Sequence, residues 1–79
     1  MQSRSSAYHG LLAFELTPAE VRVTLAIAEG ESLGDFAHRN NVSLHTVRNQ
    51  LKSVFAKTGV SRQLDLALLV HRLRDIGPT

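Results

Sequence analysis

The sequence predicts an all-α fold: a compact four-helix domain of helix-turn-helix type, preceded by a short N-terminal helical turn. Three observations predict it. No segment alternates apolar and polar residues with a period of two, apolar residues recur at three- and four-residue spacings, and each such run is bounded by capping and terminating residues. A chain of 79 residues holds one domain, close to the lower limit for a self-sufficient hydrophobic core. It contains no cysteine, so neither a disulfide framework nor a thiolate metal site supplements that core.

Residues 1–9 are polar and small and read as a tail or linker; the domain proper spans 10–76, opening with a helical turn over 10–14 that carries Leu11, Leu12 and Phe14. The first helix starts at "LTPAE". Thr17 can accept from the backbone N–H of Glu20, the Glu20 carboxylate can reciprocate, and Pro18 sits where a missing N–H costs nothing. Helix 18–29 then stops at Gly30. Ser32 caps a second, short helix over 33–39 that ends in "NNVS", where Asn40 and Asn41 tolerate turn conformations, Val42 is an apolar plug and Ser43 caps again. The third helix covers 44–57 and closes at Gly59; the fourth runs from about 62 to 75, before the Gly77-Pro78 terminator.

Charge is divided unevenly along this framework. From Phe36 to Leu64 there are five basic residues (Arg39, Arg48, Lys52, Lys57, Arg62) and no acid, a charge of +5, while the remainder carries four basic and seven acidic residues, −3. Such segregation is expected of a surface that meets a polyanion. At 100° per residue, Val47, Leu51, Val54, Phe55 and Thr58 of the third helix fall within about 100° of arc, a stripe for burial. The opposite face carries His45, Asn49, Lys52, Ser53 and Lys57, with Arg48 at its border. An ordinary solvated helix mixes signs because Glu–Lys pairs stabilise it; this one omits acids, which avoids repelling phosphate. A short helix, a turn of about four residues and a longer basic helix form the arrangement whose second helix enters the major groove of DNA.

At these residues the sequence resembles the LuxR-type, also called GerE-type, DNA-binding domain of bacterial transcriptional regulators. The resemblance covers residues 16 to about 70 and rests on "LTPAE", the Glu29-Gly30 pair, "FA" at 36 and 37, "VSLHTVRNQLKSVFAKTGV" and "SRQLDL", in the family's order and spacing. It implies a regulator whose third helix reads DNA and whose fourth helix dimerises. Carried over by position, it implies Arg48, Asn49 and Lys52 as base-contacting residues, Thr46, Gln50 and Lys57 as phosphate anchors, and Leu64, Leu68 and His71 as the two-fold contact. His45, on the same face, is expected to touch phosphate as well. Three positions depart from the family pattern. Asn40 replaces a usual apolar residue, which should loosen the end of the second helix, and Gly34 replaces a helix former at a cost of up to about 1 kcal/mol. Asn49 stands where valine is common, which exchanges a thymine-methyl contact for bidentate pairing with adenine.

The partners expected from this reading are double-stranded DNA with two-fold related half-sites, a second copy of the chain bound weakly in the absence of DNA, and RNA polymerase. No cofactor or metal is expected. His9, His38, His45 and His71 lie on different elements and match no ligand spacing, and no carboxylate between 36 and 64 is placed to orient His38 or His45 for catalysis. The longest apolar run, Leu66 to Val70, is far short of a membrane span, and a cytoplasmic protein is expected. A rival reading comes from the fourth helix, "LDLALLVHRLRDI". Leu66, Leu69, Val70 and Leu73 form one apolar stripe, while Leu64 and Leu68 lie on the other side, so the chain could act as a stand-alone interaction module that pairs with a related regulator and silences it.

Overall fold

In the computed structural model, residues 9–76 are described, with side chains to Arg74. After one helical turn at 9–12 come α1 (Pro18–Ala28), α2 (Leu33–Arg39), α3 (Leu44–Thr58) and α4 (Gln63–Ile76). There is no strand among the described residues, and the fold is all-α. The expected tail at 1–8 lies outside the described residues; His9, assigned to it from sequence, instead begins the N-terminal turn.

Local chemistry sets the helix boundaries. At α1 both arms of the capping box form: Glu20 N–H donates to Thr17 Oγ1 at 3.2 Å, and Thr17 N–H donates to Glu20 Oε1 at 2.9 Å. Ser32 and Ser43 accept from the N–H groups of Asp35 and Thr46 at 3.1 and 3.0 Å. Gly30 and Gly59 adopt the left-handed conformation after α1 and α3, at φ 86° and 82°. Asn41 does the same at φ 58°, turning the chain between α2 and α3. Asn40 does not loosen α2: its side-chain Nδ2 donates to the Phe36 carbonyl at 2.8 Å, closing the helix end that an apolar residue would leave to water.

α1 is the central element, packed against α2, α3 and α4, while α3 also packs on α2. The core draws on Leu11 and Leu16, Val21, Val23, Ala26 and Ile27 of α1, Phe36 and Ala37 of α2, Val47, Leu51 and Val54 of α3, and Leu66 and Val70 of α4. Each fully buried Leu or Val contributes roughly 1.5–3 kcal/mol of transfer free energy. The stripe read from the third helix is the buried one, with Phe55 and Thr58 at its half-buried margins.

Val42 is not a plug. It is 42% exposed, because the turn is held by its backbone, Val42 N–H donating to the Ala37 carbonyl at 3.0 Å, and needs no side-chain anchor. Gly34 faces open space: a Cβ built there meets nothing within 4 Å. Gly34→Ala should therefore stabilise the domain by about 0.5–1 kcal/mol, read as a higher urea midpoint at unchanged slope. A lower midpoint would mean that α2 needs glycine for a reason other than space.

Candidate nucleic-acid interface

All seven residues that the sequence assigns to nucleic acid sit on α3, but one of its three cations, Lys57, is already engaged elsewhere in the fold. His45, Arg48, Asn49 and Lys52 are all exposed and line one shallow groove of about 390 Å³, floored by Leu51 and Phe55. Here the helix period and the packing agree: α3 buries Val47, Leu51 and Val54 against the core and turns these four side chains outward. His45 and Asn49, one turn apart, approach through His45 Nε2 and Asn49 Nδ2 at 3.2 Å. Thr46 is exposed at the start of α3, its hydroxyl accepting from Ser43 Oγ at 3.0 Å. Gln50, one turn beyond Thr46 on the same side of α3, is half-buried in a small pocket of about 110 Å³ with Ala19, Arg22, Phe36, Asn40 and Val42.

The +5 counted along the sequence does not survive in space. Arg39 makes two hydrogen bonds to Glu31, Nε to Oε2 at 2.9 Å and Nη2 to Oε1 at 2.7 Å, with its guanidinium 5.4 Å from the Phe36 ring centre. The Arg39 hydrogen bond holds the Glu31 carboxyl below its usual range. Arg62 stands 3.5 Å from Asp65. Arg48 and Lys52 have no ion pair among the described residues and are the two cations of α3 open to a ligand.

Lys57, expected to anchor phosphate, is engaged within the fold: its ammonium donates to Glu20 Oε1 at 2.9 Å and to the Glu15 carbonyl at 3.2 Å, leaving its side chain 34% exposed. The reason is position around the helix: Lys57 is about 180° from Arg48 and stands over the start of α1. Two of its three N–H donors and its charge are thus engaged within the fold. Ser53, read as outward-facing, is likewise half-buried and hydrogen-bonds Glu20.

Arg22 was missed. It is exposed on α1, has no ion pair among the described residues and lines the same small pocket as Gln50, so α1 adds a cation at the flank of α3. The signal was a lone arginine in the apolar stretch "AEVRVTLAIA". On α4, Leu64 and Leu68 are 71% and 46% exposed and His71 is exposed beside them, away from the Leu66 and Val70 stripe that packs on α1. No described helix is long and apolar enough to cross a membrane. Comparison of the chain with family models, curated proteins and solved structures finds no match.

Proposed function

We propose that this domain binds double-stranded DNA sequence-specifically as a transcriptional regulator, with α3 in the major groove and α4 pairing two copies on adjacent half-sites. One observation carries the reading: His45, Arg48, Asn49 and Lys52 form a continuous exposed face on one helix, and neither cation in it has a carboxylate partner among the described residues. Arg48 and Lys52 have the reach and donors for base edges, Asn49 offers a donor and an acceptor, and Thr46, Gln50 and Arg22 flank them at phosphate positions. Lys57 is left out of the phosphate set because Glu20 holds it. The resemblance of the sequence to LuxR-type domains supports the same reading.

The test is the salt dependence of binding to duplex DNA. Arg22, Arg48 and Lys52 supply two to three phosphate or groove charges per subunit, so a bound pair should give a slope of log K against log salt of about −4 to −5. A slope near zero ends the proposal. Arg48→Ala should cost about 1–3 kcal/mol at one base-pair position and relax the preference there, scored by site selection from a randomised duplex pool. Uniform loss across the pool would instead make Arg48 a backbone contact.

The exposed Leu64 and Leu68 favour a second reading, a module that acts by pairing with a related chain. A pure pairing module has no salt-dependent DNA affinity of its own, so the same titration separates the two.

A further inference from the structure

The contact between His45 and Asn49 bears on which base the α3 face reads, and so rests on the DNA-binding proposal. Two nitrogens 3.2 Å apart attract only if one donates and the other accepts. The Asn49 amide nitrogen carries hydrogens and no free acceptor site, so the contact is attractive when Nε2 of His45 is the bare ring nitrogen, which is the tautomer with its proton on Nδ1. One of the two Asn49 amide hydrogens is therefore occupied. What remains for a ligand is one N–H donor and the Oδ1 acceptor.

That remainder is the complement of adenine, which presents N7 as acceptor and N6 as donor in the major groove. Guanine presents two acceptors, N7 and O6, and an asparagine can meet both only by giving both amide hydrogens. A free amide can also turn over, exchanging oxygen and nitrogen. With the ring in the Nδ1-protonated tautomer the turned amide would set Oδ1 against the Nε2 lone pair, which is repulsive; only a ring protonated on Nε2 would accept the turned amide, by donating to Oδ1. We infer that His45, in its Nδ1-protonated tautomer, is a specificity-determining positioning residue: by holding one hydrogen of the Asn49 amide, it restricts Asn49 to adenine and rejects guanine. His45 then has a role other than the phosphate contact expected from its place on the helix.

Arg48 and Lys52 share the face but carry only donors, so neither can substitute for the Nε2 acceptor. His45 is exposed, so replacing it leaves the core untouched.

The experiment selects bound duplexes from a randomised pool with the full chain, His45→Ala, His45→Gln and Asn49→Ala, alongside ¹⁵N spectra of the imidazole at pH 8 in the free protein. The wild type should select adenine at one position of each half-site, with a ring protonated on Nδ1. In His45→Ala the adenine-over-guanine preference at that position should fall roughly tenfold, within what one bidentate contact supplies, while the base preferences selected at the other positions keep their order. His45→Gln, whose Oε1 can accept the same hydrogen, should restore the preference, and His45→Ala should change nothing further in an Asn49→Ala background. If the wild type binds but His45→Ala weakens all sequences alike, His45 is a phosphate contact and the inference falls alone. A ring protonated on Nε2 also overturns it. A wild type that retains no duplex at any salt overturns the DNA-binding proposal and this inference with it.

Discussion

Lys57→Met is expected to destabilise the domain by about 2–4 kcal/mol at neutral pH, with most of that loss disappearing as the pH approaches 2. The Glu20 carboxylate is nearly buried at the start of α1, its side chain 10% exposed. Burial pushes its carboxyl up, but the Lys57 hydrogen bond, the Thr17 N–H, Ser53 and the Lys57 charge together outweigh burial and hold it down at about 2. A carboxyl depressed in the folded state contributes stability that is fully present above its unfolded value and is lost as pH falls through the folded one. Here that window runs from the ordinary glutamate value of 4.5 down to about 2. Without Lys57, burial is opposed only by the Thr17 and Ser53 hydrogen bonds, so the carboxyl rises and the acid-dependent part of the stability shrinks.

Urea unfolding of both proteins at pH 7, 5 and 3 checks this. Their stabilities should converge toward acid; curves that stay parallel would show that Lys57 contributes only through packing. Glu20→Gln completes the cycle, since it keeps an acceptor for the Thr17 N–H and removes only the charge. The same mutants test the reassignment of Lys57. A folded Lys57→Met of unchanged stability that has lost DNA affinity would return Lys57 to the phosphate anchors.

Leu68→Glu is expected to abolish cooperative binding to a two-half-site duplex while leaving folding and half-site binding intact. Leu68 is 46% exposed and lies about 150° around α4 from the stripe of Leu66, Leu69, Val70 and Leu73. α4 packs chiefly on α1, so no described element covers its outer face, where Leu64 and His71 flank Leu68 one turn away on either side. In a two-fold contact the residue nearest the axis meets its own copy, and with Leu64 and His71 on either side that residue is Leu68, so the substitution sets two carboxylates across the axis. One short helix pair buries far less than a standard interface. The free domain should therefore be largely monomeric when dilute and pair on DNA, where adjacent half-sites provide effective concentration. A surface substitution shifts stability by under about 0.5 kcal/mol in most cases, so the mutant should melt normally. Cooperativity that persists in a folded mutant would place the pairing surface elsewhere, and a mutant that fails to fold would place Leu68 in the core.

The helices were legible in the sequence because their signals act over three or four residues. Thr17 and Glu20, Ser32 with Asp35, Ser43 with Thr46, and the left-handed Gly30 and Gly59 each complete an interaction within one turn of chain, so residue type and spacing suffice. The outward His45, Arg48, Asn49 and Lys52 were legible for a related reason: a 3.6-residue period assigns direction once the apolar stripe is known. The left turn at Glu15 was not. Its φ of 65° has no glycine or asparagine to announce it, and its carbonyl is held by Lys57, 42 residues away.

By itself, then, the sequence determined the four helices, their caps, the buried stripe of α3 and the exposed Leu64 and Leu68 of α4. Only the tertiary structure decided which charges remain open to a ligand. A helical wheel records the direction of a side chain but not which element stands in that direction. Glu20 meets Lys57 across 37 residues and Glu31 meets Arg39 across eight because α1, α2 and α3 pack together, and no count of charges along the chain contains that packing. Coulomb attraction falls with distance in space rather than in sequence, so Arg48 and Lys52 are distinguished from Lys57 only when the helices are assembled.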